Sequence, residues 1–217
     1  MKESFRIAAA VVIALALGPR GTAQSGSDTL FPTGQGSKWV YSGTAGKSPI
    51  ETTAEITSSK TVCGVTTVVV RWDMAGKETQ TETYLVSATG VRRARSGRAG
   101  ANKIDPPIPV IVYPMTVGKS WKWKGSITLG TGEQAPKTDG SADLRVAAKE
   151  KVRTGPGEFT AFKVDLSLTI SAGNQSQNIP NSYWFAPGKG LIKQSSDIKI
   201  GADPTHIEAA ASAITIK

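Results

Sequence analysis

The sequence predicts an all-β protein: an antiparallel curved sheet or open β-barrel of about ten strands, made from two similar β-meander halves. Three observations predict it. Apolar and polar residues alternate with a period of two along several segments. No window of 12 or more residues carries a helical period. The chain also echoes itself, with an offset of 82 residues from Trp39 to Trp121.

Residues 1–23 read as a secretory signal peptide. Lys2 and Arg6 form a positive start, residues 7–17 are an unbroken apolar run of 11, and Pro19 ends it. Gly21 and Ala23 then occupy the −3 and −1 positions of a cut before Gln24. A spanning helix needs about 20 apolar residues, so cleavage is expected, with no transmembrane segment in the mature chain. No Cys lies near the cut to carry a lipid anchor. The expected location is outside the cytoplasm, periplasmic or secreted. Losing Lys2, Arg6, Arg20 and Glu3 takes 26 basic and 17 acidic residues to 23 and 16, a net of +7. Export removes nucleic acid from the partners of this basic chain. Anionic lipid head groups, an anionic envelope polymer or an acidic protein remain.

The N-terminal half, residues 24–95, opens with an aromatic-Pro…Gly-x-x-Trp segment from Phe31 to Trp39. Strands are expected at 50–57, at 66–72 (β-branched enough to be covered on both faces) and at 79–86. Residues 96–112 carry Gly97, Gly100, Pro106, Pro107 and Pro109, and are expected to be a connector that no strand crosses intact. The C-terminal half, residues 113–217, repeats the opening as Tyr113-Pro114…Gly118-Lys119-Ser120-Trp121. Strands follow at 121–124, 142–151, 162–170, 182–185 and 198–200. The Ala-rich tail 208–213 has helix propensity, but Ile214-Thr215-Ile216 draws it towards a last strand. Two further echoes keep chain order. Residues 64–70 match 158–164, and Thr83-Tyr84-Leu85-Val86…Gly90-Val91-Arg92 matches Ser182-Tyr183-Trp184-Phe185…Gly190-Leu191-Ile192.

The hairpin Tyr183-Trp184-Phe185-Ala186-Pro187-Gly188-Lys189-Gly190-Leu191-Ile192-Lys193, preceded by the turn Gly157-Glu158-Phe159-Thr160-Ala161-Phe162-Lys163-Val164, resembles a signature of secreted bacterial all-β proteins. In outline such proteins are similar to the lipoprotein-carrier superfamily, whose helix-covered open barrel holds acyl chains on a concave apolar face. The resemblance implies a fold and no reaction. In the hairpin, Pro187 fixes φ and the glycines turn the chain. Tyr183 and Phe185 then face one way and Trp184 the other, so at least one ring packs outside the main core or lines a ligand surface.

Catalytic and cofactor motifs fail on inspection. Gly118-Lys119-Ser120 and Gly46-Lys47-Ser48 lack the upstream Gly of a phosphate loop, having Tyr113 and Tyr41 in its place. Gly130-Thr131-Gly132-Glu133-Gln134-Ala135 opens no helix that could receive a pyrophosphate. The lone His206 reads as a surface-turn residue, and Cys63 as a small buried hydrophobe or unpaired thiol. No catalytic residue, metal or cofactor is expected. The leading reading is a non-catalytic envelope protein binding an apolar or amphipathic ligand, a lipid among the candidates, against Trp121, Trp123, Tyr183 and Phe185. Arg92, Arg93, Arg95 and Arg98 form the anion-contacting stretch. The alternatives are a structural or protein-interaction module that uses exposed strand edges, and a polysaccharide hydrolase needing two facing carboxylates.

Overall fold

A computed structural model describes residues 29–172, 175–200 and 203–217. The expected signal peptide lies outside the described residues. Each strand runs antiparallel to the one before it. They are β1 (Lys38–Ala45), β2 (Ser48–Val62), β3 (Val65–Met74), β4 (Lys77–Ser87), β5 (Gly90–Ser96) and β6 (Asn102–Val112). After them come β7 (Ser120–Thr128), β8 (Lys137–Thr154), β9 (Gly157–Ala172), β10 (Gln175–Ala186), β11 (Gly190–Ile200) and β12 (Asp203–Thr215). β12 pairs back onto β1, from Lys38 opposite Thr215 to Ala45 opposite Ile207, so the sheet closes into a barrel. The architecture is all-β as predicted, with two strands more than expected and with the barrel shut. The Ala-rich tail is strand β12. The sole helical turn among the described residues is the 3-10 turn Arg98–Gly100.

The expected connector holds the main surprise. Its second part is β6, which pairs with β5 from Val112 opposite Gly90 to Asn102 opposite Ser96. Pro106 and Pro107 fall in a gap of that pairing, between Ile108 opposite Arg93 and Lys103 opposite Arg95, where β6 has no partner on β5 to miss their N–H groups. On the β7 side, pairing is confined to Lys103, Ile104 and Asp105 opposite Thr128, Ile127 and Ser126. The sequence echoes fall on β1 and β7, on β3 and β9, and on β4–β5 and β10–β11, six strands apart each time.

The alternation decides which face is wet. Along β8, Ala142, Leu144 and Val146 are buried inside, whereas Asp143 and Arg145 are exposed outside. This reverses the apolar-out pattern of a membrane-spanning barrel. The barrel's two ends differ. At the end carrying the β2–β3, β4–β5 and β10–β11 turns, residues 29–37 cross the opening as a floor. Leu30 sinks into the core, Phe31 packs on Tyr84 at 4.8 Å, and the Gly188 amide donates to the Thr29 carbonyl. The opposite end is the mouth. Back at the floor end, the β8–β9 hairpin extends past the wall and folds over its outside, where the Gly155 amide donates to the Ala211 carbonyl. Beneath it Val152, Ala161, Ala186 and Ile192 bury Trp184, whose indole N–H donates to Glu150 at 2.6 Å. Trp184 is thus the ring that leaves the lumen, and it packs against a neighbouring strand. Cys63 (φ 48°) and Gly64 (φ 76°) make the tight β2–β3 turn, so Cys63 is an exposed free thiol and not the buried hydrophobe that was one expectation.

Candidate functional site

The lumen is not filled. A cavity of about 560 Å³ runs from the floor at Phe31 and Pro32 to the mouth at Ala45, Met74 and Ile207. That volume is ordinary for a small-molecule site. Seven of the chain's 14 aromatic residues line it: Phe31, Trp39, Tyr41, Trp72, Tyr84, Tyr183 and Phe185. Strand register explains the grouping. Ala54 faces Trp72, which faces Gln80; Val70 faces Glu82; Val68 faces Tyr84, which faces Arg93. Opposed residues share a face, so one inward parity carries all of these into the lumen.

A polar cluster sits on this wall. The Glu82 carboxylate, on a residue only 3% exposed, accepts from Trp72 Nε1 at 2.9 Å, from the Tyr84 hydroxyl at 2.7 Å and from Arg93 at 3.1 Å. Burial pushes the Tyr84 phenol well above its usual range, and the Glu82 charge adds to that. Tyr183 is also raised by burial, against the opposing pull of the Arg93 guanidinium beside it. Burial disfavours the Arg93 charge, but Glu82, Tyr183 and Tyr84 together more than offset this, and the net shift is upward. The phenols are therefore neutral, Tyr84 donating to Glu82 and Tyr183 accepting from Arg93, while Glu82 and Arg93 form an ion pair. Arg93 Nε is buried and meets no acceptor. Tyr41 stacks on Trp72, with ring centres 5.5 Å apart, and donates to the Leu191 carbonyl at 2.8 Å.

Tyr183 and Phe185, two of the four residues expected to contact a ligand, line this cavity. Trp121 and Trp123 lie elsewhere, at the β6–β7 seam, donating to the Pro109 and Pro106 carbonyls at 2.7 Å each. Trp121 also borders a separate groove of about 670 Å³ on the outer wall, beside Lys122, Asp143 and Arg145. The arginine stretch divides: Arg93 enters the lumen, while Arg92, Arg95 and Arg98 are exposed. Sequence reasoning missed Trp72, Glu82 and Tyr41. The available signal was a charge on the core parity of two successive strands, Glu82 in step with Tyr84 and Arg93 in step with Val91. Among the described residues, Glu82 is the single carboxylate in the lining, and glycoside hydrolysis uses a pair. No group of three metal-ligating side chains occurs among the described residues.

Neither a protein-family model nor a curated protein matches the chain. Among solved structures, a lipoprotein candidate from Parabacteroides distasonis superposes with a TM-score of 0.56 at 12% identity, covering 87% of this chain and 99% of that one. What the two share is the fold. An exported-protein candidate with a YmcC-like fold from Bacteroides fragilis aligns with a TM-score of 0.46 at 11% identity, over 87% of this chain and 99% of that one. The hypothetical lipoprotein YmcC of Escherichia coli aligns at 0.40 and 9% identity, over 82% and 83%. Those two are too loose to add to the comparison.

Proposed function

We propose that this is an exported, non-catalytic envelope protein whose barrel lumen holds one apolar or amphipathic small molecule, a lipid being the leading class. The observation that carries the reading is the cavity itself: about 560 Å³ of space walled by aromatic rings, floored at one end and open at the other. An apolar ligand entering it is removed from water, worth roughly 25 cal/mol for each Å² buried. In this reading Tyr183 and Phe185 contact the ligand, and Trp121 and Trp123 hold the wall that encloses it. Arg92, Arg95 and Arg98, exposed near the β5–β6 connection, are the groups available to an anionic surface or polymer. A module that works by offering strand edges is less favoured, because closure leaves no free edge in the barrel.

Native mass spectrometry of the protein released gently from the cell envelope tests this. A reproducible added mass that disappears on organic extraction is expected. A bare protein mass that stays bare in the presence of added lipids overturns the proposal.

A further inference from the structure

The cavity lining also bears on ligand charge, an inference that rests on the lumen reading above. From the polar cluster we infer that the lumen selects an uncharged amphiphile, one whose buried polar group is an alcohol, ester, amide or ketone oxygen and not a carboxylate, phosphate or ammonium. Among the described residues, the acidic lining residue, Glu82, and the basic one, Arg93, are bonded to each other at 3.1 Å, so this stretch of wall has no net charge to offer an ion. Both lie on that wall between floor and mouth, with Trp72 and Tyr84 donating to the same carboxylate. An anionic head group placed there meets Glu82, and a cationic one meets Arg93. Each would also lose its hydration inside an aromatic enclosure, a large penalty for an ion and a smaller one for a hydrogen-bonded oxygen.

The donors left over match the inference. Glu82 already accepts three hydrogen bonds and has little left for a ligand donor. Arg93 Nε has no acceptor but is itself buried, so it presents no charged donor to a ligand in the cavity. Nearer the mouth the cavity is lined by the neutral side chains of Thr52, Gln80 and Gln194. These can hydrogen-bond a polar group without adding charge.

The test is a matched series with one chain length: dodecanol, laurate and dodecylamine, each below its micelle concentration at neutral pH. They are titrated into the processed protein, with calorimetry and Trp72-bearing intrinsic fluorescence as readouts. Dodecanol is expected to bind at least tenfold more tightly than either ion. Glu82→Gln, which leaves Arg93 uncompensated, should shift the laurate-to-dodecanol ratio at least tenfold towards laurate. Arg93→Met should shift the ratio towards dodecylamine. A merely greasy pocket would leave these ratios unmoved, and that result overturns the inference. Laurate or dodecylamine binding the wild-type protein as well as dodecanol does also overturns it, while leaving the lumen reading standing. Failure of all three to bind sinks both. The wild-type series decides the matter even if neither variant folds.

Discussion

The barrel has two seams that chain order makes counterparts, β12–β1 and β6–β7, and they are closed by different chemistry. At the first, eight registered residue pairs run the length of β1 and the backbone ladder does the joining. At the second, only three pairs form before the strands part at Asp105. Beyond that point Pro106, Pro107 and Pro109 deprive β6 of donors. Its carbonyls are taken instead by side chains of β7 and of the turn before it. Trp123 takes Pro106, Trp121 takes Pro109, and Lys119 takes both Val112 and Pro114. The lesson is that buried backbone groups must be satisfied but need not be satisfied by backbone. An indole N–H does the work of an amide and brings a large apolar ring with it. That ring needs room, and Gly125 and Gly140 supply it: a Cβ on either would stand within 2.8 Å of the Trp123 ring.

The comparison can be broken most forcibly at Trp123, which is 5% exposed. Trp123→Ala should cost about 4 kcal/mol by emptying its site, read as a lowered urea midpoint. Trp123→Phe, which keeps most of the ring and loses the N–H, should cost about 1–2 kcal/mol. Equal losses would mean that the hydrogen bond, and not the ring, closes this seam. At the ladder seam, Gly43 lies against the backbone of Glu208 and Ala209. Gly43→Ala should cost about 2–3 kcal/mol by forcing β1 from β12. A loss exceeding that of Trp123→Ala in the same titration would show the ladder to be the more fragile closure. Lys119→Met should cost about 1 kcal/mol, since its ammonium serves two carbonyls that lie near water; an unchanged midpoint would assign the closure to the tryptophans alone.

The smallest effect concerns pH, next to the ladder seam. A hydrogen bond donated by His206 Nδ1 to the Asp197 carboxylate at 2.7 Å raises the pKa of the exposed His206 above its ordinary 6.5, with Asp197 and Glu208 charges contributing. A raised folded-state pKa stabilises the protein below the unfolded value, and the gain is lost as pH climbs through the folded one. Thermal stability should therefore decline slightly as the pH rises just above 6.5, and His206→Gln should flatten that slope. A wild-type slope of opposite sign would contradict the pairing.

Strand identity was legible wherever side chains alternate, as in 162–170, because one face of each strand meets the core and the other meets water. Pro106, Pro107 and Pro109 argue against a strand, yet β6 forms because Pro106 and Pro107 sit in a break of its pairing with β5. Barrel closure was illegible because β1 and β12 are separated by the whole chain, and nothing local in Lys38 or Thr215 names its partner. The site was half legible. Tyr183 and Phe185 follow from parity within one strand, whereas Glu82 reaches Arg93 only through the register of β4 on β5. The tryptophans of β7 have the composition of a ligand wall, and only the unpaired proline carbonyls show what their N–H groups do.

The floor has a further consequence, for orientation. The Lys217 amide donates to the Ser37 hydroxyl, and Gly34 lies directly against Lys217, so the described beginning and end of the chain meet beneath the barrel. Whatever is attached to either end, a bead, a sensor surface or a fused domain, hangs from the sealed side. Copies immobilised through Lys217 would all present the same way up, like cups on a tray, with the mouth unobstructed above.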